Sequence, residues 1–211
     1  MENMKIFTFN PFQENTYLVW NKSKQCIIID PGCSSVSEED ALFQFIENNH
    51  LVPSLLLNTH CHVDHIFGNH FIFKKYKLTP TFHVLDNIVF ERAKTVAEMY
   101  GLDFQPSPLP LSFLEENQVV NLGGLNLKVL LTPGHSPGHV VFYNQAENYI
   151  IGGDVLFKQG IGRTDLPGGN HEQLLESIRE KLYVLPDKTL VFPGHGDSTT
   201  IGFEKENNPF T

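Results

Sequence analysis

The chain has 211 residues, of which 41% are hydrophobic and 18% charged, a composition that suits one globular domain with a full hydrophobic core. The formal net charge is -9 and the 15 basic residues are dispersed, which argues against nucleic acid as a partner because polyanion binding depends on clustered cations. No apolar run approaches the roughly 20 residues that a transmembrane helix needs. We therefore expect a single domain over residues 1–211, with no nucleic-acid or membrane partner.

The cysteine content indicates a reducing compartment. The three cysteines, Cys26, Cys33 and Cys61, are odd in number and form no C-x-x-C motif, which argues against a disulfide framework. Residues 1–10 contain no cationic segment followed by a long apolar stretch, so a secretory signal is not expected. These features predict a cytoplasmic protein.

Strands and helices are predicted to alternate in the first half of the chain. Short apolar runs predict strands at 5–9, 16–20, 26–29, 55–57 and 81–84. Apolar residues at helical spacing predict helices at 37–49, 64–76 and 86–100. In the first of these helices, Leu42, Phe45 and Ile46 follow Glu38 and Glu39, whose charges suit the positive end of a helix dipole.

The second half repeats this sequence of element types. Strands are predicted at 118–121, 125–131, 140–143, 149–151 and 189–192, and helices at 172–182 and from about 199 onward. Prolines at 106, 108 and 110 predict a surface loop over 105–110. A charged or imidazole residue follows several strands, where layered α/β folds place their chemistry. These residues are Asp30, His60, His135, Asp154 and His195.

The run H-C-H-V-D-H over residues 60–65 is the strongest chemical signal in the chain. Three imidazoles and one carboxylate suit zinc, iron or manganese, and they are too many donors for one tetrahedral ion. His60 and His62, two residues apart, point to the same side of an extended segment and can reach one ion. Asp64 and His65 face elsewhere and can serve a second ion. By the same alternation Cys61 points away from the ions, as a small buried apolar residue.

Three further segments supply the donors that two ions would need. They are T-P-G-H ending at His135, G-G-D ending at Asp154 and F-P-G-H ending at His195. Each has glycine beside the donor, which lets the backbone approach an ion closely. Their similar surroundings predict that all three residues are metal ligands.

These motifs resemble those of the metallo-β-lactamase superfamily over nearly the whole chain. They are I-D-P-G around Asp30, T-H-C-H-V-D-H at 59–65, P-G-H-S-P-G-H at 133–139, G-D at 153–154 and G-H at 194–195. The resemblance implies an α/β fold of the α+β kind, a four-layer αββα sandwich. It also implies His60, His62 and His135 as ligands of one ion, Asp64, His65 and His195 as ligands of the other, and Asp154 as a bridge. Asp30 would support these ligands by hydrogen bonds, or would simply cap a β-turn.

Other segments resemble glyoxalase II and its short bacterial relatives, which lack the C-terminal helical domain. They are G-D-V-L-F at 153–157, G-I-G-R-T-D at 160–165 and G-H-G-D-S-T-T-I-G at 194–202. Arg163 stands at the family's basic substrate contact, although Asp165 could pair with it instead. Glutathione recognition is a weaker expectation, because Lys205 is the only basic residue after Ile201 and Asp197 stands where longer relatives have a tyrosine.

The resemblance implies a metal-dependent hydrolase that cleaves a small-molecule thioester of the hydroxyacylglutathione type. The cofactors would be two divalent ions, with zinc expected first and iron or manganese as alternatives. A metal-bound hydroxide would be the nucleophile, and Asp64 would orient it as the catalytic residue. The G-R-T-D segment also resembles persulfide dioxygenases, so a mononuclear-iron dioxygenase is an alternative, as is a lactonase. The oligomeric state stays open.

Overall fold

The first half of the chain forms a five-stranded mixed sheet. The computed structural model describes residues 3–211. The strands are β1 (Met4–Phe9), β2 (Glu14–Trp20), β3 (Gln25–Ile29), β4 (Val52–Leu57) and β5 (Pro80–Thr81), in the order β1-β2-β3-β4-β5. The first three strands pair antiparallel, whereas β4 and β5 pair parallel to their neighbours. The 60–65 segment follows the end of β4 in this sheet.

The second half forms a six-stranded sheet in the order β13-β12-β9-β8-β7-β6. Its strands are β6 (Val119–Leu122), β7 (Leu125–Leu131), β8 (Val140–Asn144), β9 (Tyr149–Gly153), β12 (Leu190–Pro193) and β13 (Thr199–Thr200). Only the β9–β12 pair is parallel among its described pairings. A small separate hairpin, β10 (Leu156–Phe157) with β11 (Gly160–Ile161), follows β9 and was not predicted from the sequence.

The helices are α1 (Val36–Asn48), α2 (Val63–Ile66), α3 (Asn69–Tyr76), α4 (Asn87–Met99), α5 (His171–Ser177) and α6 (Ile201–Asn207). Helices α1 and α3 cover the outer face of the first sheet and α5 and α6 that of the second, whereas α4 packs on α2. Helix α1 begins at the Ser35 cap, whose hydroxyl accepts a hydrogen bond from the Glu38 N–H, and it buries Leu42 and Ile46 one turn apart. No helix within residues 3–211 is long and apolar enough to cross a membrane.

Alternating side chains of the strands build the four layers. Tyr17 and Val19 of β2 pack between the sheets against Phe142 of β8, while Leu18 faces the opposite way and packs with Leu42 of α1. Behind the second sheet, the side chains of β8 and β9 pack against α5. Because β8 and β9 are covered on both faces, they are mostly apolar rather than alternating, whereas β7, which is exposed in part, alternates at its start. The αββα sandwich expected from the resemblance is confirmed.

Some element boundaries differ from the sequence prediction. The predicted helix 64–76 is broken between α2 and α3, because the Gly68 N–H leaves the helix to donate a 2.7 Å hydrogen bond to the Pro31 carbonyl. The predicted strand 81–84 ends after Thr81 and continues as a 3-10 turn over Val84–Asp86. The last part of the helix predicted at 172–182 is a π-helical turn over Ile178–Leu182. The surface loop predicted at 105–110 is confirmed.

Candidate metal centre

The predicted donors are brought together from five places in the chain. The segment after β4 carries His60 and His62, and α2 carries the neighbouring Asp64 and His65. The other three donors follow strands of the second sheet. His135 lies after β7, Asp154 directly after β9 and His195 after β12. The centre is therefore built by both sheets, and neither half of the chain supplies it alone.

The first donor group consists of His60, His62 and His135, whose ligand atoms all lie within 4.8 Å of one another. The Nε2 atom of His135 is 2.8 Å from Nδ1 of His62 and 3.2 Å from Nε2 of His60. All three imidazoles thus direct a nitrogen toward one point. This arrangement can hold a metal ion.

Hydrogen bonds select which nitrogen of His60 and of His135 faces that point. The other ring nitrogen of His135, Nδ1, donates to the backbone carbonyl of Arg163 over 2.7 Å. Thr59 donates its hydroxyl proton to Asp30 at 2.6 Å, so this hydroxyl accepts the proton of His60 Nδ1 at 3.0 Å. In both histidines Nε2 keeps a free lone pair, as a metal ligand requires.

The second donor group consists of Asp64, His65 and His195, again with ligand atoms within 4.8 Å of one another. Oδ2 of Asp64 is 3.2 Å from Nε2 of His195 and 3.8 Å from Nε2 of His65. The remaining nitrogens of both rings are occupied, because His65 Nδ1 donates to Asp30 and His195 Nδ1 donates to the Phe12 carbonyl. Both Nε2 atoms therefore face the group.

Asp154 lies between the two donor groups. Its Oδ2 atom is 3.5 Å from Nε2 of His135 in the first group and 3.5 Å from Nε2 of His195 in the second. Its Oδ1 atom is 3.4 Å from Nε2 of His65. One carboxylate thus lies close to donors of both groups.

The residues fit two divalent ions. His65 Nε2 and Asp154 Oδ1 are buried and have no hydrogen-bond partner among residues 3–211. A buried polar atom without a partner costs free energy, and a bound cation would satisfy both atoms. Imidazole and carboxylate donors suit zinc, iron and manganese alike.

The protonation states of His60, His62 and the two carboxylates also suit metal binding. Burial, together with the neighbouring imidazoles, lowers the pKa of His60 well below its usual value and lowers the pKa of His62 to about 3. Both rings are therefore neutral at pH 7, the form that binds metal. Burial disfavours ionisation of Asp64 and Asp154, but His65 and the other nearby histidines outweigh it and hold the pKa of each carboxyl below its usual value.

Asp30 joins the two donor groups rather than merely capping a turn. Its carboxylate accepts hydrogen bonds from the Thr59 N–H at 2.7 Å, from the Thr59 hydroxyl and from His65 Nδ1 at 3.2 Å. The backbone of Asp30 has φ of 49°, in the left-handed region that aspartate tolerates better than most residues. It therefore orients His60 through Thr59 and His65 directly.

Arg163 pairs with Asp165, which the sequence analysis gave as the alternative to a substrate contact. Its side chain is exposed and forms a two-pronged hydrogen bond with Asp165, at 2.7 Å from Nε and 2.8 Å from Nη2. Its backbone carbonyl holds His135, so the residue lies beside the first donor group. Substrate contact by the Arg163 side chain stays a prediction.

Residues that carry no motif also support the centre. The backbone N–H of Asn15 donates to the Gly194 carbonyl, and its side chain donates to the carbonyls of Pro193 and Gly196. These carbonyls flank His195, so Asn15 holds that loop. Nothing in the local sequence around Asn15 signals this role, because its partners lie almost 180 residues away, with a separation of 178 for Pro193.

Cys61 is buried as expected. Its side chain is fully inaccessible, and burial raises the pKa of its thiol well above the usual value, with a further upward contribution from Asp86. A neutral buried thiol is neither a metal ligand nor a nucleophile. The interpretation of Cys61 as a small apolar residue between two donors agrees with this placement.

Comparison with known proteins agrees with the motifs. A sequence profile described as the metallo-beta-lactamase superfamily matches residues 9–195. The chain is 39% identical to "Hydroxyacylglutathione hydrolase GloC" of Haemophilus influenzae over 214 residues, covering 99% of this chain and 97% of that protein. It is 39% identical to "Probable metallo-hydrolase YqgX" of Bacillus subtilis over 202 residues, covering 95% of this chain and 93% of that protein.

Solved structures show the same fold. The BLEG-1 B3 metallo-beta-lactamase superimposes with a TM-score of 0.90 at 35% identity, covering 98% of each chain. TTHA1623 in a di-iron-bound form superimposes with a TM-score of 0.88 at 38% identity, covering 98% of this chain and 100% of that one. The fold, the histidine and aspartate groups and these similarities together show that the chain belongs to the metallo-beta-lactamase superfamily, as a metal-dependent hydrolase.

Proposed function

We propose that the protein hydrolyses a thioester of the S-2-hydroxyacylglutathione type at a centre of two divalent ions. The observation that carries the proposal is the position of Asp154, whose Oδ2 atom is equally close to the first and second donor groups. The choice of a thioester is supported by the 39% identity to a hydroxyacylglutathione hydrolase over 99% of the chain. A small-molecule substrate follows from the same similarity.

In this proposal His60, His62 and His135 hold one ion, Asp64, His65 and His195 hold the other, and Asp154 contacts both. When bound, such an ion pair acidifies a water molecule and polarises the substrate carbonyl. The metal could be zinc, iron or manganese, and the similarity to a di-iron-bound protein makes iron as strong a candidate as zinc.

Asp64 is the proposed catalytic residue. Its side chain is 17% exposed, whereas those of His60 and His65 are fully buried, so Asp64 lies on the accessible side of the centre. The Asn10 side chain donates to the Asp64 carbonyl at 3.0 Å and holds its backbone in place. With Oδ2 turned toward His195, the other carboxylate oxygen remains to accept a proton from the attacking water and to orient it.

The leaving group also suits this set of residues. A thiolate needs little protonation as it leaves, so the reaction does not require a dedicated general acid. Arg163 has five N–H donors, of which Asp165 engages two. We propose that the remaining donors bind a carboxylate of the substrate's thiol portion.

Release of free thiol from S-lactoylglutathione by the metal-loaded protein tests the proposal. We expect turnover by the wild type and a loss of at least a hundredfold for Asp64→Ala, which removes both the ligand and the proton acceptor. Quantified metal per chain should approach two. Thiol release no greater than that of Asp64→Ala would reject thioester hydrolysis.

A β-lactam is a second candidate substrate, because a B3 metallo-beta-lactamase shares 35% identity and a TM-score of 0.90 with this chain. Both reactions attack a carbonyl with water, so the same centre could catalyse either. Parallel assays with S-lactoylglutathione, a β-lactam and a simple lactone separate the candidates by kcat/KM. The highest value identifies the substrate class.

Persulfide oxygenation is the alternative from another class of enzyme. It needs one iron, so the second donor group of Asp64, His65 and His195 would not be required for it. The close assembly of that group, within 4.8 Å, favours two ions. Oxygen uptake on glutathione persulfide by protein that holds one iron per chain, without thioester turnover, would establish oxygenation instead.

A further inference from the structure

Asp86 is a buried carboxylate that joins two of the loops carrying metal donors. It ends the 3-10 turn before α4 and is fully inaccessible. Its Oδ2 atom accepts the Cys61 N–H at 2.6 Å, and its Oδ1 atom accepts the Gly138 N–H at 2.8 Å. Cys61 stands between His60 and His62, whereas Gly138 belongs to the loop of the second sheet that carries His135.

Both oxygens of a carboxylate are needed for this connection. Each oxygen accepts one backbone N–H, and bonds to an ionised acceptor are shorter and stronger than neutral ones. An amide has a single oxygen, so in its place one N–H would face an NH2 group.

Gly138 allows the close approach. A Cβ atom at Gly138 would overlap the backbone nitrogen of Asp86 and would lie 2.9 Å from the Asp86 Cβ atom. Any side chain at this position would therefore push the two loops apart.

This connection joins the two segments that carry the donors of the first group. His60 and His62 lie on one side of it and His135 on the other, so these three donors depend on the spacing that Asp86 sets. In the second donor group, Asp64 and His65 share α2, and the loop of His195 is held instead by Asn15. Asp30 contacts both groups, through Thr59 and through His65, whereas Asp86 and Asn15 each hold donor segments of one group.

We propose that Asp86 is a positioning residue for the metal ion of the first donor group, acting by fastening Cys61 to Gly138 through the backbone. The inference rests on the proposed function, because that proposal assigns the first donor group to an ion. Asn15 is the corresponding support for the other ion and provides a matched control.

Zinc titration of the full-length protein against a chromophoric chelator tests the inference, with circular dichroism to check the fold. For the wild type we expect two binding steps. Asp86→Asn should weaken one step by roughly 10-fold to 100-fold and leave the other within a factor of three. Gly138→Ala changes the partner of Asp86 in the same contact and should weaken binding in the same step. If Asp86→Asn does not fold, Gly138→Ala alone provides the test.

Variants that lack one ligand identify the weakened ion. In an His195→Ala background, which weakens the second donor group, Asp86→Asn should still reduce the affinity for the remaining ion. In an His62→Ala background, which weakens the first donor group, Asp86→Asn should not change the affinity for the remaining ion. Asn15→Ala should reduce that affinity. This pattern is the thermodynamic signature of two independent supports.

The outcomes separate this inference from the proposed function. Equal weakening of both ions by Asp86→Asn, or no weakening of either, would overturn the role of Asp86 while leaving thioester hydrolysis intact. Two tightly bound ions with the expected pattern, but no thioester turnover, would reject the proposed substrate and retain the role of Asp86. Wild-type protein that binds none of zinc, iron and manganese would overturn both.

Discussion

The backbone N–H of Asp154 donates a 2.9 Å hydrogen bond to Nε2 of His139. Because Nε2 accepts this bond, the ring proton lies on Nδ1 and is donated to the Thr132 hydroxyl at 3.2 Å. Burial, with a further contribution from His135, lowers the pKa of His139 well below its usual value, consistent with a neutral ring. His139 therefore orients the backbone of the residue that lies between the two donor groups.

Replacing His139 by phenylalanine should weaken both the fold and the metal centre. The change keeps a ring but removes the acceptor for the Asp154 N–H, a loss of about 1–3 kcal/mol for a buried group left without a partner. Urea unfolding of metal-free protein measures this cost, and Thr132→Val tests the other hydrogen bond of the ring, because it leaves the His139 Nδ1–H without its acceptor. Unfolding free energies equal to that of the wild type would contradict the role.

Removal of metal by a chelator should lower the melting temperature and abolish hydrolysis. A ligand that binds only the folded state stabilises it, by about 4 kcal/mol at a thousandfold excess over its Kd. Metal-free protein also leaves His65 Nε2 and Asp154 Oδ1 buried without partners. Differential scanning calorimetry before chelation, after it, and after separate addition of zinc, iron and manganese measures the effect. An unchanged melting temperature would argue against an ion at this site.

Arg163→Ala should raise KM for S-lactoylglutathione about fivefold to tenfold and leave kcat within about twofold, because a contact to the thiol portion contributes equally to ground and transition states. Arg163→Lys should fall between, since lysine keeps the charge but not the fork of donors. Asp165→Ala is the control: it releases the guanidinium and should not raise KM. A fall in kcat with constant KM for Arg163→Ala would place the residue in the chemical step.

The three cysteines should resist alkylation in the folded protein. Burial raises the pKa of Cys26 to about 12 and moves the pKa of Cys33 and Cys61 upward as well. The thiolate is the reactive form, so at pH 8 only a very small fraction can react. Mass spectrometry after iodoacetamide treatment should find no modified cysteine in the native protein and three after denaturation. Rapid modification of Cys61 alone would show that the 60–65 segment opens.

Gly68→Ala should destabilise the fold by about 1–3 kcal/mol, the usual cost of overpacking. A Cβ atom there would overlap the Cys33 sulfur and lie 2.8 Å from the Pro31 carbonyl oxygen. Gly160→Ala is the matched control, because its Cβ atom would meet only Phe157 at 3.6 Å or more. Guanidinium unfolding of both variants measures the difference. Equal stabilities would show that the turn between α2 and α3 adapts to a methyl group.

Local sequence patterns predicted most strands and helices, because apolar runs and helical spacing reflect burial that the structure contains. They missed the break between α2 and α3, since Gly68 is drawn out of the helix by the carbonyl of Pro31, a residue of another loop. They also missed the β10–β11 hairpin, whose strands have two residues each and leave almost no periodic signal.

The supports of the centre were the hardest features to predict. Asp86 precedes a helix and resembles an ordinary cap, and Asn15 lies inside a strand. Their roles depend on partners far along the chain, at a separation of 52 residues for Asp86 and Gly138. The pairing of Arg163 was easier to predict, because its partner Asp165 is only two residues away in the sequence.

The sequence by itself determined which atoms are available to bind metal, because imidazole and carboxylate donors are intrinsic properties of His60, Asp64 and their counterparts. Only the tertiary structure decided how close together these donors lie. It brought His135 to the 60–65 segment, set Asp154 between the two groups and, by hydrogen bonds, selected one nitrogen in the rings of His60, His65, His135 and His195. Distances between donors of different strands depend on how the two sheets pack, and no local pattern encodes that packing.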